Sequence, residues 1–323
     1  MTKKITVALL SGGISSERKV SIKSGNQVFK ALDKSKYDVF RYDPKTDIAR
    51  LIADAADIDV ALIILHGNYG EDGTVQGMLD LLKIPYQGSG TLGSSIAMNK
   101  LAAKRMYEHA KIPVPAYLSF QTSDVIDTDA CIERLGLPLV VKPVTGGSSI
   151  GMTIAKSKRK FTEAIKKAFI YDDAILIEEY IQGVEITGGV IGNHNIESLP
   201  IVEIVPSKKH EFFDYEAKYL KGESLEICPA RISQQLTQKA KELAVKSHRT
   251  LFCNGYSRTD MMIRGEDVFV LETNTIPGMT PVSLLPLAAK TAGMSFSQLL
   301  DRLIELALER KSERARTLRR YMR

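Results

Sequence analysis

The segment 257–286, SRTDMMIRGEDVFVLETNTIPGMTPVSLLP, decides how the rest of the chain is interpreted. Alternating residues on both sides of the GED triplet at 265–267 predict a β-hairpin with a three-residue connection. A turn centred on residue 266 pairs four polar residues across the strands: Asp260 with Glu272, and Arg258 with Asn274. Because side chains alternate faces along a strand, these four should project to one side, with cross-strand partners about 5 Å apart. The other side would carry an apolar face for a core, made of Met261, Ile263, Phe269 and Leu271.

The polar face of this predicted hairpin combines two carboxylates with an amide oxygen, a set of hard ligands. Asp260 and Glu272 would repel each other at this distance, and a divalent cation would relieve the repulsion. Mg²⁺ is the best candidate because it combines a few protein oxygens with water and substrate phosphate. Arg258 cannot bind a metal and is available to hold a developing oxyanion. A salt-bridged surface, with Arg258 and Arg264 neutralising the acids, remains the alternative at this point.

The second half of this segment closely resembles the C-terminal signature of the D-alanine–D-alanine ligase family, part of the ATP-grasp superfamily. The family pattern is Arg-x-Asp, then Glu-x-Asn-Thr-x-Pro-Gly-Met-Thr, then Ser-Leu. In this chain it is filled by Arg258, Asp260, Glu272, Asn274, Gly278, Met279, Thr280, Ser283 and Leu284. The resemblance implies an α/β protein with three subdomains and ATP between the central and C-terminal ones. We expect these subdomains at residues 1–95, 96–185 and 186–310, followed by a basic tail at 311–323.

Length and composition agree with a globular protein. A chain of 323 residues can bury a large core in two or three subdomains. No run approaches the roughly 18 apolar residues of a membrane span, and the N-terminus has no signal-peptide pattern. Cys131, Cys228 and Cys253 are far apart and form no CxxC pair, which predicts reduced thiols in a cytoplasmic protein.

The net charge of +6 is concentrated at the C-terminus. Residues 309–323 carry seven Lys or Arg against two Glu, so the rest of the chain is nearly neutral. This distribution argues against a nucleic-acid partner along the whole surface. The last helix should place Leu299, Leu303 and Leu306 in the core, and its basic end is expected to be solvated or frayed rather than bound to an anionic membrane.

The N-terminal region predicts the opening of an α/β sheet. A short strand and a Gly-Gly turn are followed by a helix from near Glu17 to about Leu32, capped by Ser15 or Ser16, and a second strand ending at Asp43. The glycines lack the GxGxxG spacing of a dinucleotide site. Glu17 could be a solvated acid at a helix start. The family resemblance implies instead that it contacts the amino group of the first D-alanine.

A glycine-rich element, HGNYGEDGTVQG, starts at His66 and leads into a helix predicted over 74–82. His66 alone could be an ordinary packed histidine, and Glu71 and Asp72 are expected to shape the loop. The run resembles the family element HGxxGEDGxxQG, which implies that His66 lies near the carboxylate of the first substrate.

Two further motifs supply positive charge and donors for phosphate. An amphipathic helix is predicted from 94 to 110, and Lys100 on it could be merely solvated. The segment 137–155 predicts a strand, a Gly/Ser loop and a second strand, and an ordinary hairpin turn is the alternative. These runs resemble the family's M-x-K-L segment and ATP-grasp lid, which implies phosphate contacts from Lys100, Lys142, Ser148 and Ser149.

Two more runs complete the predicted nucleotide site by resemblance. The segment 174–192 reads as strand, break and strand, similar to the ATP-grasp hinge, which implies adenine and ribose contacts from Glu178, Glu179, Tyr180, Ile181 and Glu185. The segment 212–222 resembles the family's ω-loop, in which Lys218 would contact ATP and Tyr219 would bond to Ser148 and Glu17 to close the site. By the same resemblance, the tyrosine at position 219 implies an amine acceptor rather than lactate.

The combined motifs imply ATP-dependent ligation of two D-alanines for peptidoglycan precursors. Asp260, Glu272 and Asn274 would hold Mg²⁺, with two ions expected and Mn²⁺ able to substitute, while Lys100 and Lys142 bind phosphate.

Bond formation would follow in two steps. The first D-alanine would form an acyl phosphate, which the amine of the second attacks. Arg258 and the Gly278 N–H would stabilise the tetrahedral intermediate, and Ser283 and Leu284 would receive the second carboxylate.

Other functions remain open at this stage. An ATP-grasp ligase that joins a different amino or hydroxy acid pair has the same motifs, and a non-catalytic nucleotide-binding protein would share the fold. The predicted partners are D-alanine and ATP, with a second copy of the chain in a homodimer, no membrane span, and no nucleic acid unless the tail binds it.

Overall fold

The computed structural model of the chain describes residues 3–206 and 224–321. Within that part the strands form three sheets, each combined with helices, so the predicted α/β class is confirmed. No helix in the same part is long and apolar enough to cross a lipid bilayer.

The N-terminal elements surround a parallel sheet. They are β1 (Ile5–Leu10), α1 (Arg18–Ala31), β2 (Tyr37–Tyr42), α2 (Ile48–Ala53), β3 (Val60–Ile63) and α3 (Thr74–Leu81). The strand order is β2–β1–β3, and β3 is buried along its whole length, as expected for a parallel sheet covered on both faces. The helix predicted from near Glu17 is confirmed as α1.

The predicted serine cap of α1 is wrong. Glu17 occupies the N-cap position and no side chain caps the helix. The Ser15 hydroxyl accepts the Glu17 N–H at 3.2 Å and donates to the His66 carbonyl at 2.6 Å. Ser15 therefore ties the first loop to the His66 loop instead of ending the helix.

The central elements surround an antiparallel sheet. They are α4 (Thr91–Met98), α5 (Lys100–His109), β4 (Tyr117–Gln121), α6 (Thr128–Leu135), β5 (Leu139–Pro143), β6 (Thr153–Ala155), α7 (Lys158–Ala168) and β7 (Ala174–Glu179). The strand order is β4–β7–β5–β6, and Phe161 of α7 is fully buried against it. The loop between β5 and β6 is the predicted Gly/Ser lid.

The single helix predicted over 94–110 is wrong, because Asn99 divides it into α4 and α5. Asn99 has an extended backbone, and its side chain accepts the N–H of Ala102 to cap α5. The Lys100 N–H donates to the Val144 carbonyl at 2.9 Å. The break therefore places the first turn of α5 against the strand that leads into the lid.

The C-terminal elements surround the largest sheet. They are β8 (Val184–Gly192), β9 (Glu197–Ser198), β10 (Val202–Pro206), β11 (Ser224–Ile227), α8 (Gln234–Thr250), β12 (Gly255–Arg264), β13 (Asp267–Asn274), α9 (Leu284–Thr291) and α10 (Phe296–Tyr321). The order is β11–β10–β8–β12–β13, with β9 paired to β8.

The last helix joins the C-terminal region to the N-terminal one. Leu299, Leu303 and Leu306 of α10 are buried in a core shared with Val7 and Leu9 of β1, which confirms their predicted core positions. The backbone remains helical to Tyr321, while the side chains of the basic tail from residue 312 onward lie outside the described residues.

The predicted hairpin is confirmed as β12 and β13, with Arg258 paired to Asn274 and Asp260 to Glu272. Its turn, however, is one residue shorter than predicted, since Arg264 already pairs with Asp267. A register shift next to Asp260 inserts one extra residue in β13 and restores the predicted pairs near the site.

The bulge also changes the predicted apolar face. Met261 and Ile263 are buried as predicted, but their partners in the core are Val268 and Val270 rather than Phe269 and Leu271. The Phe269 ring instead lies 4.7 Å from the Arg264 guanidinium. Leu271, next to the shift, lines the cavity described below. A shorter turn moves each residue of that half of β13 to the opposite face.

Candidate active site

A cavity of about 350 Å³ lies between the central sheet and the C-terminal sheet. The lining includes Glu272, predicted to hold the Mg²⁺ of the nucleotide site, and nine residues predicted to contact ATP: Lys100, Lys142, Ser148, Ser149, Glu178, Glu179, Tyr180, Ile181 and Glu185. The sequence analysis did not place in this lining the apolar side chains that share it: Val140, Ile150, Ile154, Ile204, Met262 and Leu271. Charged groups next to apolar walls suit a ligand with a flat ring and an anionic chain.

The lid loop is held over the cavity by specific contacts. Lys100 Nζ donates to the Gly146 carbonyl at 2.6 Å, and the Ser148 hydroxyl donates to Glu17 Oε1. Ser148 and Ser149 have φ of 52° and 57°, a left-handed conformation that non-glycine residues rarely adopt. The lid thus connects α5, the cavity and Glu17, and its strained backbone marks it as a functional segment.

The hinge between β7 and β8 depends on a close backbone approach. A Cβ at Gly183 would lie 1.7 Å from the carbonyl oxygen of Ile263 on β12. Any larger residue would push the hinge away from the hairpin that carries Asp260. Gly183 therefore keeps the two walls of the cavity together.

Two lysines share one carboxylate at the edge of the cavity. Glu178 Oε1 lies 3.0 Å from Lys142 Nζ and 3.2 Å from Lys104 Nζ. Burial raises the pKa of Glu178, but attraction from Lys104 and then Lys142 outweighs it, so the pKa lies below its ordinary value. Burial also lowers the pKa of Lys104, and the carboxylate opposes that fall. Lys142 and Glu178, which were both predicted to contact ATP, thus form an ion-pair cluster with Lys104, a residue that was not predicted.

The acidic hairpin is organised by Arg258. Its Nε and a terminal nitrogen donate to the two carboxylate oxygens of Asp260 at 2.8 and 2.7 Å. Thr187 on β8 donates to the same carboxylate at 2.6 Å, and the Asn274 amide donates at 3.1 Å. Of the ion pairs considered as an alternative, the one with Arg258 is therefore present, whereas Arg264 pairs with Glu179 instead. The Arg258 pair holds the Asp260 carboxylate in a defined orientation.

The donors around Asp260 have the right chemistry for Mg²⁺. Asp260 and Glu272 are paired across the hairpin and line the same cavity, with Asn274 two residues further on. Over the ranges 3–206 and 224–321, no group of three or more His, Cys, Asp and Glu forms a metal cluster. Two carboxylates and an amide, completed by water and phosphate, do meet the needs of this ion. The donor set fits, with Arg258 as a competitor for Asp260.

The first-substrate side of the site is rich in carboxylates. Glu17 is buried, and a Cβ at Gly67 would lie 2.7 Å from its Oε2, so the His66 loop packs directly on this acid. Glu71 accepts the Gly67 N–H at 2.7 Å, as expected for a residue that shapes the loop. Burial and then the Glu17 charge raise the pKa of Glu71 to about 8. This environment favours an incoming ammonium group.

His66 lies in the same region as a neutral, buried ring. Burial and then the charge of Arg258 lower its pKa to about 4, while a backbone hydrogen bond with Ile276 acts in the opposite direction. Its Nε2 atom is buried and has no hydrogen-bond partner among the described residues. A ligand group at this position would satisfy that nitrogen.

Ser283 and Leu284 lie at the start of a helix. Ser283 is the N-cap residue of α9 and Leu284 is its first helical residue, so backbone N–H groups point out of this end. The Ser283 Oγ accepts the Thr280 N–H at 3.2 Å, and a Cβ at Gly278 would lie 3.1 Å from the same oxygen. A helix start next to a glycine loop is a suitable place for a carboxylate.

The predicted set is thus distributed over one region of the molecule. The cavity collects the nucleotide residues. Around it, Glu17 and Ser283 lie at helix starts, His66 and Gly278 lie in loops, and Arg258 lies within β12. Lys218 and Tyr219 lie outside the described residues.

Sequence reasoning missed Lys104 and Thr187. Both are buried, and both hold a carboxylate that lines the cavity. The spacing of Lys104 four residues after Lys100, on the same helix, is the one sequence signal that could have indicated it. Thr187 has no local signal, because its contact crosses from β8 to β12.

Comparison with known proteins identifies the family. The model described as D-ala D-ala ligase C-terminus matches residues 106–305, and that of the D-ala D-ala ligase N-terminus matches residues 43–89. The D-alanine–D-alanine ligase of Syntrophobacter fumaroxidans is 59% identical over 308 residues, which cover 95% of this chain and 99% of the relative. That of Desulfotalea psychrophila is 50% identical over 311 residues, covering 95% and 96%.

Solved structures give the same result. The Bacillus anthracis D-alanine–D-alanine ligase complexed with ATP has a TM-score of 0.84 and 36% identity, with coverage of 96% of this chain and 99% of the other. The VanG D-Ala:D-Ser ligase of Enterococcus faecalis has a TM-score of 0.79 and 31% identity, with coverage of 94% and 100%. The predicted ATP-grasp fold is confirmed. The chain belongs to the D-alanine–D-alanine ligase family.

Proposed function

We propose that the chain joins two D-alanine molecules to D-alanyl-D-alanine and converts ATP to ADP and phosphate in doing so. The main support is the convergence of a lysine-lined cavity, an acidic hairpin and the Glu17–Ser148 contact in one region. The high identity to D-alanine–D-alanine ligases over nearly the whole chain agrees with this activity. The product would serve peptidoglycan synthesis.

The nucleotide would lie in the cavity between the two sheets. Its phosphates would meet Lys142 and the N–H groups of Ser148 and Ser149. The ammonium of Lys100 donates to the Gly146 carbonyl of the lid in this structure, and it would pair with a phosphate when ATP binds. The apolar walls would pack on the adenine ring, next to the hinge backbone at 179–181.

Asp260, Glu272 and Asn274 would hold Mg²⁺, which neutralises charge on the triphosphate and orients it for transfer. We propose two such ions, with Mn²⁺ as a substitute. Because Arg258 now holds both oxygens of Asp260, cation binding would shift part of that contact.

The first D-alanine would be positioned by its two charged groups. Its ammonium would approach Glu17, where the nearby carboxylates favour positive charge, and its carboxylate would lie near His66. The carboxylate oxygen then attacks the γ-phosphorus to form an acyl phosphate and ADP. Closure by Ser148 over Glu17 would exclude water that could hydrolyse this intermediate.

The second D-alanine completes the bond. Its amine, after loss of a proton, attacks the acyl carbon, and phosphate leaves from the tetrahedral intermediate. Arg258 and the Gly278 N–H would stabilise the oxyanion, and the start of α9 at Ser283 and Leu284 would receive the carboxylate.

Further properties belong to the same proposal. We propose subdomains at 1–95, 96–185 and 186–310, a homodimer formed through the first of them, and a cytoplasmic location. Light scattering of the purified chain would measure its mass, and a mass of one chain at micromolar concentration would contradict the dimer.

A ligase for a different second amino acid is the alternative. It is favoured by the structural similarity to a D-Ala:D-Ser ligase at 31% identity. The helix start at Ser283 and Leu284 would receive a carboxylate, which D-alanine and D-serine share.

Phosphate release tests the proposal directly. The chain is incubated with ATP and Mg²⁺ in four mixtures: with D-alanine alone, with D-alanine and D-serine, with D-alanine and D-lactate, and with L-alanine. The products are identified by mass spectrometry. We expect release with D-alanine alone and formation of its dipeptide. Release only in the presence of another acceptor would replace the substrate, and ATP binding without release in any mixture would refute ligation.

A further inference from the structure

Lys104 is a lysine with no contact to solvent in the interior of the protein. It lies on α5, and its relative exposure is 0%. Its Nζ is 3.2 Å from Glu178 Oε1 and 5.2 Å from the centroid of the Tyr117 ring. Burial of an ammonium group is costly unless a carboxylate compensates it. The position of this lysine therefore depends on Glu178.

Glu178 also holds Lys142 through the same oxygen, at 3.0 Å. The three side chains are 1%, 3% and 9% exposed for Lys104, Glu178 and Lys142. Within this lysine cluster (Lys104, Lys142 and Glu178), two positive charges face one negative charge. The excess of one positive charge is buried, which is unfavourable unless an anion binds.

The excess charge is directed to the cavity. Among the described residues, Lys142 and Glu178 line the cavity, whereas Lys104 does not. Lys104 thus approaches the carboxylate from behind the wall, and Lys142 approaches it from the ligand side. Without Lys104, Glu178 and Lys142 would form a neutral pair, and this pair would offer no net charge to phosphate.

We propose that Lys104 is a positioning residue that neutralises Glu178 from behind the cavity wall, so that the charge of Lys142 remains available to the phosphates of the nucleotide. The inference deepens the proposed function, since it concerns the same nucleotide site. Lys104 touches neither ATP nor the amino acids in this account, and it acts through Glu178.

Equilibrium binding to the full-length chain tests the proposal without any turnover. The ligands are ATP, inorganic tripolyphosphate and adenosine, and titration calorimetry gives each Kd. In Lys104→Met we expect the Kd for ATP and tripolyphosphate to rise about tenfold, because a charge is removed within a few ångströms of Lys142. The Kd for adenosine should change less than twofold.

Glu178 supplies the complementary variants. In Glu178→Gln the cluster gains net positive charge, so tripolyphosphate should bind as tightly as to the wild type or more tightly. The double variant with Lys104→Met and Glu178→Gln regains an excess of one positive charge through Lys142. Its tripolyphosphate affinity should return to within about threefold of the wild type. A purely structural role of Lys104 predicts no such recovery.

Two controls separate charge from stability. Lys36→Met removes a lysine that pairs with Asp301 at 2.7 Å on the surface, and it should leave all three Kd values unchanged. Thermal unfolding reports whether each variant is folded. If Lys104→Met does not fold, Glu178→Gln alone decides, because weaker tripolyphosphate binding in that variant contradicts the proposal.

The result that overturns the inference is a folded Lys104→Met variant that binds ATP and tripolyphosphate within twofold of the wild type. A failure of ligation in the wild type would not affect this test, since binding requires no reaction. In turnover assays, the expected signature is a raised KM for ATP with a smaller change in kcat.

Discussion

Two charge clusters lie at or next to the cavity, and their excess charges have opposite signs: the lysine cluster is buried, whereas the second is buried only at Glu17. The lysine cluster has two cations around the Glu178 carboxylate. On the side predicted for the first substrate, a carboxylate cluster consists of Glu17 and Glu272 with Arg258, together with Glu71, whose raised pKa favours its neutral form. Neither excess stabilises the folded chain by itself, because buried charge is costly without a partner. In the proposed function, each excess would match a substrate charge, the phosphates at one cluster and an ammonium at the other.

The largest expected effect comes from Arg258→Ala, which removes the cation from the carboxylate cluster. The variant loses the group proposed to hold the oxyanion and leaves Asp260 without its bidentate partner. We expect the ligation rate to fall at least about 100-fold, as for other lost oxyanion donors. Phosphate release with identification of the dipeptide measures it, and a folded variant within threefold of the wild type would refute the role of Arg258.

A smaller effect is expected from Glu17→Gln, which lowers the negative excess of the same cluster. The amide oxygen can still accept the Ser148 hydroxyl, so the lid contact is retained. We expect the KM for the first D-alanine to rise about tenfold, because its ammonium would lose the attraction of one buried negative charge. The KM for ATP should change little. Equal rises in both KM values would show that Glu17 acts only through the lid.

The pH dependence of stability provides a third test, with Glu71→Gln. Burial and the Glu17 charge raise the pKa of Glu71 to about 8, above the ordinary carboxyl range near 4.5. The folded state therefore binds a proton that the unfolded state loses above pH 4.5. This contribution to stability is complete below pH 4.5 and declines as the pH rises to 8.

Differential scanning measurements between pH 5 and pH 8 would show this decline. The midpoint of the wild type should fall by several degrees relative to Glu71→Gln, which cannot ionise. Asp72→Asn, a change of the next acid in the same loop, is the control and should keep the wild-type slope. Parallel curves for the wild type and Glu71→Gln would mean that Glu71 is ionised in the folded protein.

The smallest effect is expected outside both clusters, at Arg264. This residue pairs with Glu179 at 3.0 Å and is partly exposed. Arg264→Met should change the free energy of unfolding by no more than about 0.5 kcal/mol, because exposed ion pairs are screened by water. Urea unfolding measures it, and the variant also serves as the arginine control for Arg258→Ala. A loss of several kcal/mol would show that water does not screen this ion pair and would contradict the prediction.

The sequence predicted those parts of the fold whose signals are local. The alternation around Gly265 indicated the hairpin, and the pairs next to the site are correct. The turn is one residue shorter than predicted. The pairs next to the site are nevertheless correct, because a β-bulge next to Asp260 restores the register. Phe269 and Leu271 were placed on the wrong face for the same reason.

Helix boundaries show a similar limit. The residues from 91 to 109 are all compatible with helix, and only the side chain of Asn99 with the Lys100 contact to Val144 divides them. Amphipathic spacing continues across such a break, so periodicity alone does not detect it.

The sequence by itself determined the order of the motifs, the residue types of the candidate site and the existence of the hairpin that carries Asp260 and Glu272. These properties depend on strand alternation and on runs of specific residues, which can be seen in the chain itself. Only the tertiary structure decided that Lys104 shares Glu178 with Lys142 and that Arg258 holds Asp260. Charge balance in a buried site depends on which side chains are brought within a few ångströms, and that is set by packing between elements distant in sequence.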